Sequence, residues 1–400
     1  MEESASNANE RGLEDKEMRT YRNLYEEFVS EDNIRLAIIN ASKGKRNRTI
    51  MKDMYSDPDR WIPIIQRWVI CYKNPMHHPV EIYDGISRKK RVIICPTNKE
   101  QVIHHMLCNV LKPVFMKSMY EHSYGSVPDR GGLAGKKAIE KWMKTDRKNC
   151  RYVLKMDIHK FFDSIPHEIL KAKLNRIITD DRFKEILFEV INETEKGLPL
   201  GFYTSQWLAN WYLQDLDHYI KEELRAVHYI RYMDDMVIFG SNKRKLHKMK
   251  DEIESYLLNE LGLEMNPKWQ VYRFDHIKDG KHYGRDLDFM GFRFFCDRTI
   301  MRKSIMLKCT RKAKRISKKD RVNIRDARQM VSYLGWLDHT DTYNMYLERV
   351  KPYVNYKKLK KRISADDKRK AKERKVLYEL EKGRVSGTTN GVGHCIITSV

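Results

Sequence analysis

The 400-residue sequence predicts an α+β fold made of more than one packed unit. Three patterns predict it. Apolar residues recur at helical spacing near the N-terminus, strand patterns that end in carboxylates fill the middle, and a strongly basic helical run follows residue 299. At 41% hydrophobic the chain can bury real cores, which excludes global disorder. Its charge is the informative bulk property: 78 Lys and Arg against 55 Asp and Glu give +23. A surplus of that size is the footprint of a polyanion binder, the plain alternative being a merely soluble basic surface.

Met1 to Asn9 is polar and acidic, without the basic-then-apolar order of a secretory leader. No stretch approaches the ~20 apolar residues that a membrane helix needs. The expectation is a cytoplasmic chain with no membrane partner. Seven cysteines are scattered and none forms a CxxC pair, so neither a zinc site nor a disulfide framework is expected. The fourteen histidines form no metal-like cluster; His77, His78, His104 and His105 read as surface or core residues.

Taken in order, residues 1–20 are polar and expected to be flexible. Residues 21–72 read as helical, with apolar positions at Leu24, Phe28, Ile34, Leu36 and Ile38. Val80 to Tyr83 and Arg91 to Ile94 read as strands joined through Asp84-Gly85, and helical spacing returns over 98–119. Residues 152–158 read as a buried strand ending in Asp157. Two helices are expected in 166–195 and one amphipathic helix over 205–225. Strands 227–232 and 236–239 flank Met233-Asp234-Asp235 as a β-hairpin. A helix over 243–261 ends at Gly262, and strands are expected at 269–274 and 287–295. Residues 299–321 carry ten Lys or Arg against one acid, Asp320. Helices are expected at 304–318, 324–335 and 342–351, then a highly charged helix or coil over 357–383 and a Gly/Ser/Thr-rich tail.

Two of these elements carry chemistry. One strand delivers Asp157, and one hairpin tip presents Asp234 and Asp235 together. Adjacent carboxylates repel unless a cation lies between them. Hard divalent ions such as Mg²⁺ take oxygen ligands and bind through one or two carboxylates plus substrate phosphates. Two such ions, ~3.5–4 Å apart, clamp the attacking and leaving oxygens of an in-line displacement. An Asp-Asp pair in a turn is ordinary by itself, because Asp favours turns. The combined context separates this pair from an ordinary turn.

That context resembles the reverse transcriptases. KMDIHKFFDSI (155–165) resembles their first catalytic motif, and RYMDDMVIFG (231–240) their YxDD hairpin. LPLGFYTSQ (198–206) resembles the loop-and-helix motif between them. RKKRVIICPTNKEQVIHHMLCNVLKPVF (88–115) and HSYGSVPDRGG (122–132) resemble the finger motifs of bacterial members. LGLEMNPKWQ (261–270) and FMGFRF (289–294) resemble the closing palm motif and the primer grip. The likeness runs in the expected order over roughly residues 30–350. It implies a right-hand polymerase: fingers at 21–150, a palm at 151–298 whose antiparallel sheet bears the YMDD hairpin, and a helical thumb at 299–355. Residues 356–400 form a charged C-terminal extension and tail.

Within bacterial reverse transcriptases the diversity-generating retroelement group is the most similar. Leu200 stands where the family usually has glutamine and Gln206 where it usually has proline; MRKSIMLK (301–308) and SYLGWLDHTDTYNMY (332–346) also resemble that group. The likeness implies copying of a template RNA into complementary DNA with errors mainly at adenines, for rewriting a target gene. A related antiphage-defence enzyme using a dedicated noncoding RNA is the alternative, kept open by the long 352–400 segment.

The resemblance also assigns roles. Asp157 and Asp234, with the backbone carbonyl of Ile158, would hold two Mg²⁺ ions (or Mn²⁺), and the adjacent Asp235 would tune the site. Phe162, five positions after Asp157, would block a ribose 2′-hydroxyl; the plain alternative is a core ring like Phe161. Leu200 and Gly201 would shape the nucleotide pocket, Leu200 lacking the hydrogen bonds of a glutamine or serving only as packing. Lys89 and Arg91 would hold the triphosphate, with Arg91 preferred for its bidentate guanidinium, against a solvated charge run; Lys268 would approach the same phosphates. Tyr232 and the FMGFRF segment with Gly291 would support the primer, and Arg130 the template. Arg302, Lys303, Arg311 and Lys312, in a thumb with Met301, Ile305, Met306 and Leu307 inward, would grip the duplex by its phosphates. The implied partners are template RNA, an RNA/DNA duplex, deoxynucleoside triphosphates and a small basic RNA-binding accessory protein.

Overall fold

The computed structural model describes residues 20–45, 48–83 and 90–386, with side chains through residue 372. The expected Asp84-Gly85 connection, Lys89, the flexible N-terminus before residue 20 and the tail after 386 lie outside the described residues. The chain divides into two compact units between Met290 and Gly291. That division precedes the expected palm–thumb boundary at 298/299.

The first unit opens with four short helices, α1 (Leu24–Val29), α2 (Glu31–Ser42), α3 (Thr49–Ser56) and α4 (Pro58–Ile70). The starts of α2 and α4 are written in the sequence. The Ser30 hydroxyl accepts from the Asn33 N–H, and Asp57 caps the helix that Pro58 begins. Strands β1 (Val80–Tyr83) and β2 (Lys90–Ile93) pair antiparallel, with Lys90 and Glu81 joined across them. The long α5 (Asn98–Met116) follows a complete Thr97/Glu100 capping box. Its inner residues Val102, Ile103, Met106, Leu107, Val110 and Leu111 are buried. This core includes the fully buried His104, whose ring lies tilted against that of Phe202.

The central sheet follows. Its strands are β3 (Ser123–Tyr124), β4 (Tyr152–Met156), β5 (His228–Tyr232), β6 (Asp235–Gly240) and β7 (Gln270–Arg273), in the order β3-β5-β6-β4-β7. All its pairs are antiparallel except the short parallel β3–β5 pair. The helices around it are α6 (Gly132–Thr145), α7 (Phe161–Ser164), α8 (His167–Ile177), α9 (Asp181–Ile191), α10 (Tyr203–Tyr212), α11 (Gln214–His218) and α12 (Lys243–Asn259). Small strands β8 (His276–Lys278), β9 (Lys281–Tyr283) and β10 (Leu287–Phe289) complete the unit. Apolar burial on both faces explains the near-continuous apolar runs VLKM and MVIF: Val153, Leu154, Met236, Val237 and Ile238 are all inaccessible.

The second unit begins with the antiparallel pair β11 (Phe292–Phe294) and β12 (Thr299–Met301). Helices α13 (Lys303–Ser317), α14 (Ile324–Ser332), α15 (Leu334–Leu337), α16 (Tyr343–Arg349) and α17 (Tyr356–Ser386) follow. Cys309, Ala313 and Ile316 on α13 pack with Ala327, Met330, Val350 and Leu359. Cys108, Cys150 and Cys309 are buried, whereas Cys71 and Cys95 are exposed.

Three elements differ from expectation. The single helix over 205–225 is α10, α11 and a π-helical turn at Tyr219–Glu223. The Leu224 N–H reaches back five residues to the Tyr219 carbonyl, a widening that an amphipathic pattern does not register. The strand over 287–295 is two strands, because Met290 (φ +51) and Gly291 (φ +87) adopt left-handed conformations that end a strand. The basic run from 299 starts with an unexpected strand, β12, ahead of the helix, whose range Lys303–Ser317 agrees with the expected 304–318. Among the described residues no helix is long and apolar enough to cross a membrane.

Candidate active site

Three carboxylates meet at one end of the central sheet. Register places Met156 opposite Met236, so Asp157, one residue beyond β4, continues toward Asp235 at the start of β6. Tyr232 pairs with Asp235 and closes a two-residue turn of Met233 and Asp234. Met233 has φ +56 while Asp234 does not share that sign, the pattern of a type II′ hairpin turn. Burial raises the Asp234 carboxyl to about 6, with Asp235 and then Asp157 adding repulsion and Arg91 opposing it. Asp234 therefore senses Asp235, Asp157 and Arg91 across the site.

Asp157 is oriented from the opposite side. The Asn266 side-chain amide donates to its Oδ2 at 2.9 Å, and the Asn266 N–H donates to its carbonyl at 2.8 Å. Ile158 is buried and forms an isolated bridge with Met265. The bonds of that bridge belong to the neighbours, Asn266 to Asp157 and His159 to Glu264. In such a non-hydrogen-bonded pair the Ile158 carbonyl points away from Met265, toward the β6 side that carries the aspartates. Asn266 was not singled out in the sequence; the only signal was its place in LGLEMNPKWQ beside Lys268. Lys268 is exposed, and its N–H donates to Asn266 Oδ1 at 3.1 Å.

The 198–206 loop is tied to both the first motif and the end of β2. Phe161 is buried, whereas Phe162 is partly exposed with its ring 5.5 Å from that of Phe161 in an edge contact. The Phe162 carbonyl accepts from the Leu198 N–H at 2.6 Å, tying the first motif to the 198–206 loop. The Leu200 carbonyl accepts from Ile94 at 2.7 Å, tying that loop to the end of β2. Gly201 has φ +115, and any Cβ there would drive into the Ile94 carbonyl oxygen, so both shape and space require glycine. Next to it, Phe202 lies between His77 and His104, 5.6 and 4.4 Å away by ring centres. His77 sits between Glu193 (2.7 Å) and Glu100 (3.0 Å); burial opposes its charge, but the two carboxylates outweigh that and raise its pKa. Sequence alone left these histidines as surface or core.

Arg130 donates to the Tyr120 carbonyl at 2.8 Å, so its guanidinium braces its own loop. In the second unit, Gly291 has a packing reason of its own, since a Cβ there would enter the Trp336 ring. Arg302, Lys303 and Arg311 lie on or beside α13, with Lys303 and Arg311 exposed. Lys312 does not join them: it is buried and paired with Asp326, which Lys319 also engages. The outward cations beside Arg311 are Lys314 and Arg315. A charge run hides this because it does not say which lysine turns inward.

The chain matches the family model described as reverse transcriptase (RNA-dependent DNA polymerase) over residues 78–336, well over half its length. It belongs to that family. The match spans β1, the carboxylate strand, the 198–206 loop, the hairpin and the start of the second unit. Protein YkfC of Escherichia coli K12 is 23% identical over 48% of this chain and 61% of its own. The retron Ec73 reverse transcriptase of Escherichia coli is 28% identical, covering 44% and 58%. The group II intron-encoded protein LtrA of Lactococcus lactis is 26% identical, covering 34% and 23%. This reverse-transcriptase chain thus spans less than two thirds of the length of each of these relatives.

Proposed function

We propose that the protein copies an RNA template into DNA, with fingers, palm and thumb at the boundaries the sequence motifs imply. The convergence of Asp157, Asp234 and Asp235 at the end of one sheet carries this reading. Their donor set fits hard divalent cations: three carboxylates crowd together, and burial, then the acidic neighbours, raises the Asp234 carboxyl, a penalty that a cation relieves. Asp157, Asp234 and the Ile158 carbonyl would hold Mg²⁺ or Mn²⁺, with Asp235 tuning the charge. The bound cations would supply charge neutralisation and orientation at the transferred phosphate.

Arg91, whose charge already reaches Asp234, is the triphosphate contact, with Lys268 beside Asn266 and Lys89 as further candidates. Phe162, partly exposed beside the 198–206 loop, is the gate against a 2′-hydroxyl. Leu200 offers no side-chain hydrogen bonds to the nascent pair, so mispairs leave fewer buried groups unsatisfied. That supports an error-prone enzyme of the diversity-generating type, acting with template RNA, deoxynucleoside triphosphates and a small basic RNA-binding accessory protein. The likeness to a retron reverse transcriptase and the long helix α17 favour a second reading, a defence enzyme with a dedicated noncoding RNA.

Sequencing the DNA made on a defined RNA template by the native chain and by Leu200→Gln tests the reading. The native product should carry errors concentrated opposite adenines, and Leu200→Gln should lower them by about tenfold. Absence of templated product from the native chain would sink the polymerase reading. Equal error spectra would remove Leu200 from it.

A further inference from the structure

Behind the turn that bears Asp234 lies a buried polar cluster with no part in holding nucleotide or cation. Arg231 and Asp217 are both 0% exposed. Arg231 Nε donates to Asp217 Oδ1 at 2.7 Å, and Nη2 donates to Oδ2 at 2.5 Å. The Tyr229 hydroxyl donates to the same Oδ1 at 2.7 Å. Arg231 Nη1 donates to Asn210 Oδ1 at 3.1 Å and to the Met233 carbonyl at 2.9 Å. The Asn210 amide donates to the Gly125 carbonyl at 2.9 Å and lies 3.2 Å from the Met233 sulfur. The Met233 N–H donates to the Tyr124 carbonyl at 3.1 Å.

A buried ion pair is a costly way to fill a core, and apolar side chains of similar volume often serve stability as well. What this one does is directional. Its donors converge on Met233, a side-chain-bearing residue at φ +56. Such a conformation persists only where the surroundings over-determine it. Here both backbone polar groups and the side chain of that residue are held, and the next residue is Asp234.

We propose that Arg231, Asp217 and Asn210 are positioning residues that clamp Met233 in its left-handed conformation and so aim the Asp234 carboxylate at Asp157. Asp217 aligns the guanidinium fork, and the fork with Asn210 grips the turn. When the clamp is lost, Met233 relaxes toward an unstrained conformation and the carboxylates separate. The inference rests on the polymerase reading for the purpose of the site, but not for its geometry.

The test measures Mn²⁺ affinity of the full chain by water-proton relaxation. Asn210→Ala is made in three backgrounds: native, Met233→Ala and Met233→Gly. Glycine adopts positive φ at no steric cost, whereas alanine removes the thioether but keeps the strain. Asn210→Ala should weaken Mn²⁺ binding about tenfold in the native and Met233→Ala backgrounds, the scale of one strained residue, and less than about threefold with Met233→Gly. Arg231→Lys, which keeps the charge but loses the fork, should show the same dependence on background, with thermal unfolding recorded for each variant. Equal weakening with Met233→Ala and Met233→Gly overturns the clamp, as does no weakening in the native background or a native chain that binds no Mn²⁺. Glycine-specific relief in a chain that binds Mn²⁺ yet extends no primer contradicts the polymerase reading alone.

Discussion

In an unfolded chain the Asp234 carboxyl ionises near pH 4, whereas in the folded protein burial and its acidic neighbours hold it near 6. Between those values the folded state keeps a proton that the unfolded state has released. Stability in the absence of metal therefore falls as pH rises through this window and levels off above it. At neutral pH the full penalty is present, about 3 kcal/mol as a ceiling and smaller where water screens the site. Asp234→Asn removes it. The metal-free variant should unfold a few degrees above the native chain at pH 7.5, and the gap should close as pH approaches 4. Calorimetry across that range decides; a gap independent of pH would mean that the strain at the site is not electrostatic. At this scale the sequence was informative where chemistry is local. The positions of Asp157 at a strand end and Asp234 in a hairpin turn were legible because each follows a strand or turn signal. Asn266 and the Arg231–Asp217 pair were not, because their roles depend on which distant strand or helix lies alongside.

Helix α13 shows the same limit one level up. Its helical run was legible, but its inward side is Ile305, Cys309, Ala313 and Ile316, whereas of the expected Met301, Ile305, Met306 and Leu307 the last two are only half-buried. The division of labour among its basic residues was not legible, since Lys312 turns inward to Asp326 while Arg311 stays outside. Arg311→Ala should weaken binding to an RNA/DNA duplex and flatten its salt dependence by about one counterion. Lys312→Ala should leave that slope unchanged and lower thermal stability instead, because it breaks a buried pair. Fluorescence titrations over a salt series, with unfolding curves, separate the two; identical slopes for both variants would remove α13 from the duplex grip. The hairpin β5–β6 was legible almost to the residue, because apolar runs flank a Met-Asp-Asp turn. The strand break at Met290-Gly291 was hidden because FMGFRF has strand character on both sides of it.

For the molecule as a whole, the +23 charge and the ordered run of motifs pointed to a nucleic-acid polymerase, and the family match over residues 78–336 agrees. The division into two units after Met290 falls ahead of the shift to basic composition at residue 299, so composition alone does not mark it. The central claim is that the three aspartates make this chain an RNA-templated DNA polymerase. The most direct measurement is Mg²⁺-dependent extension of a primer on an RNA template, comparing the native chain with Asp234→Asn purified in parallel. The account predicts full-length DNA from the native protein and a loss of about 10³-fold or more in the variant. Equal background synthesis from both proteins would contradict it.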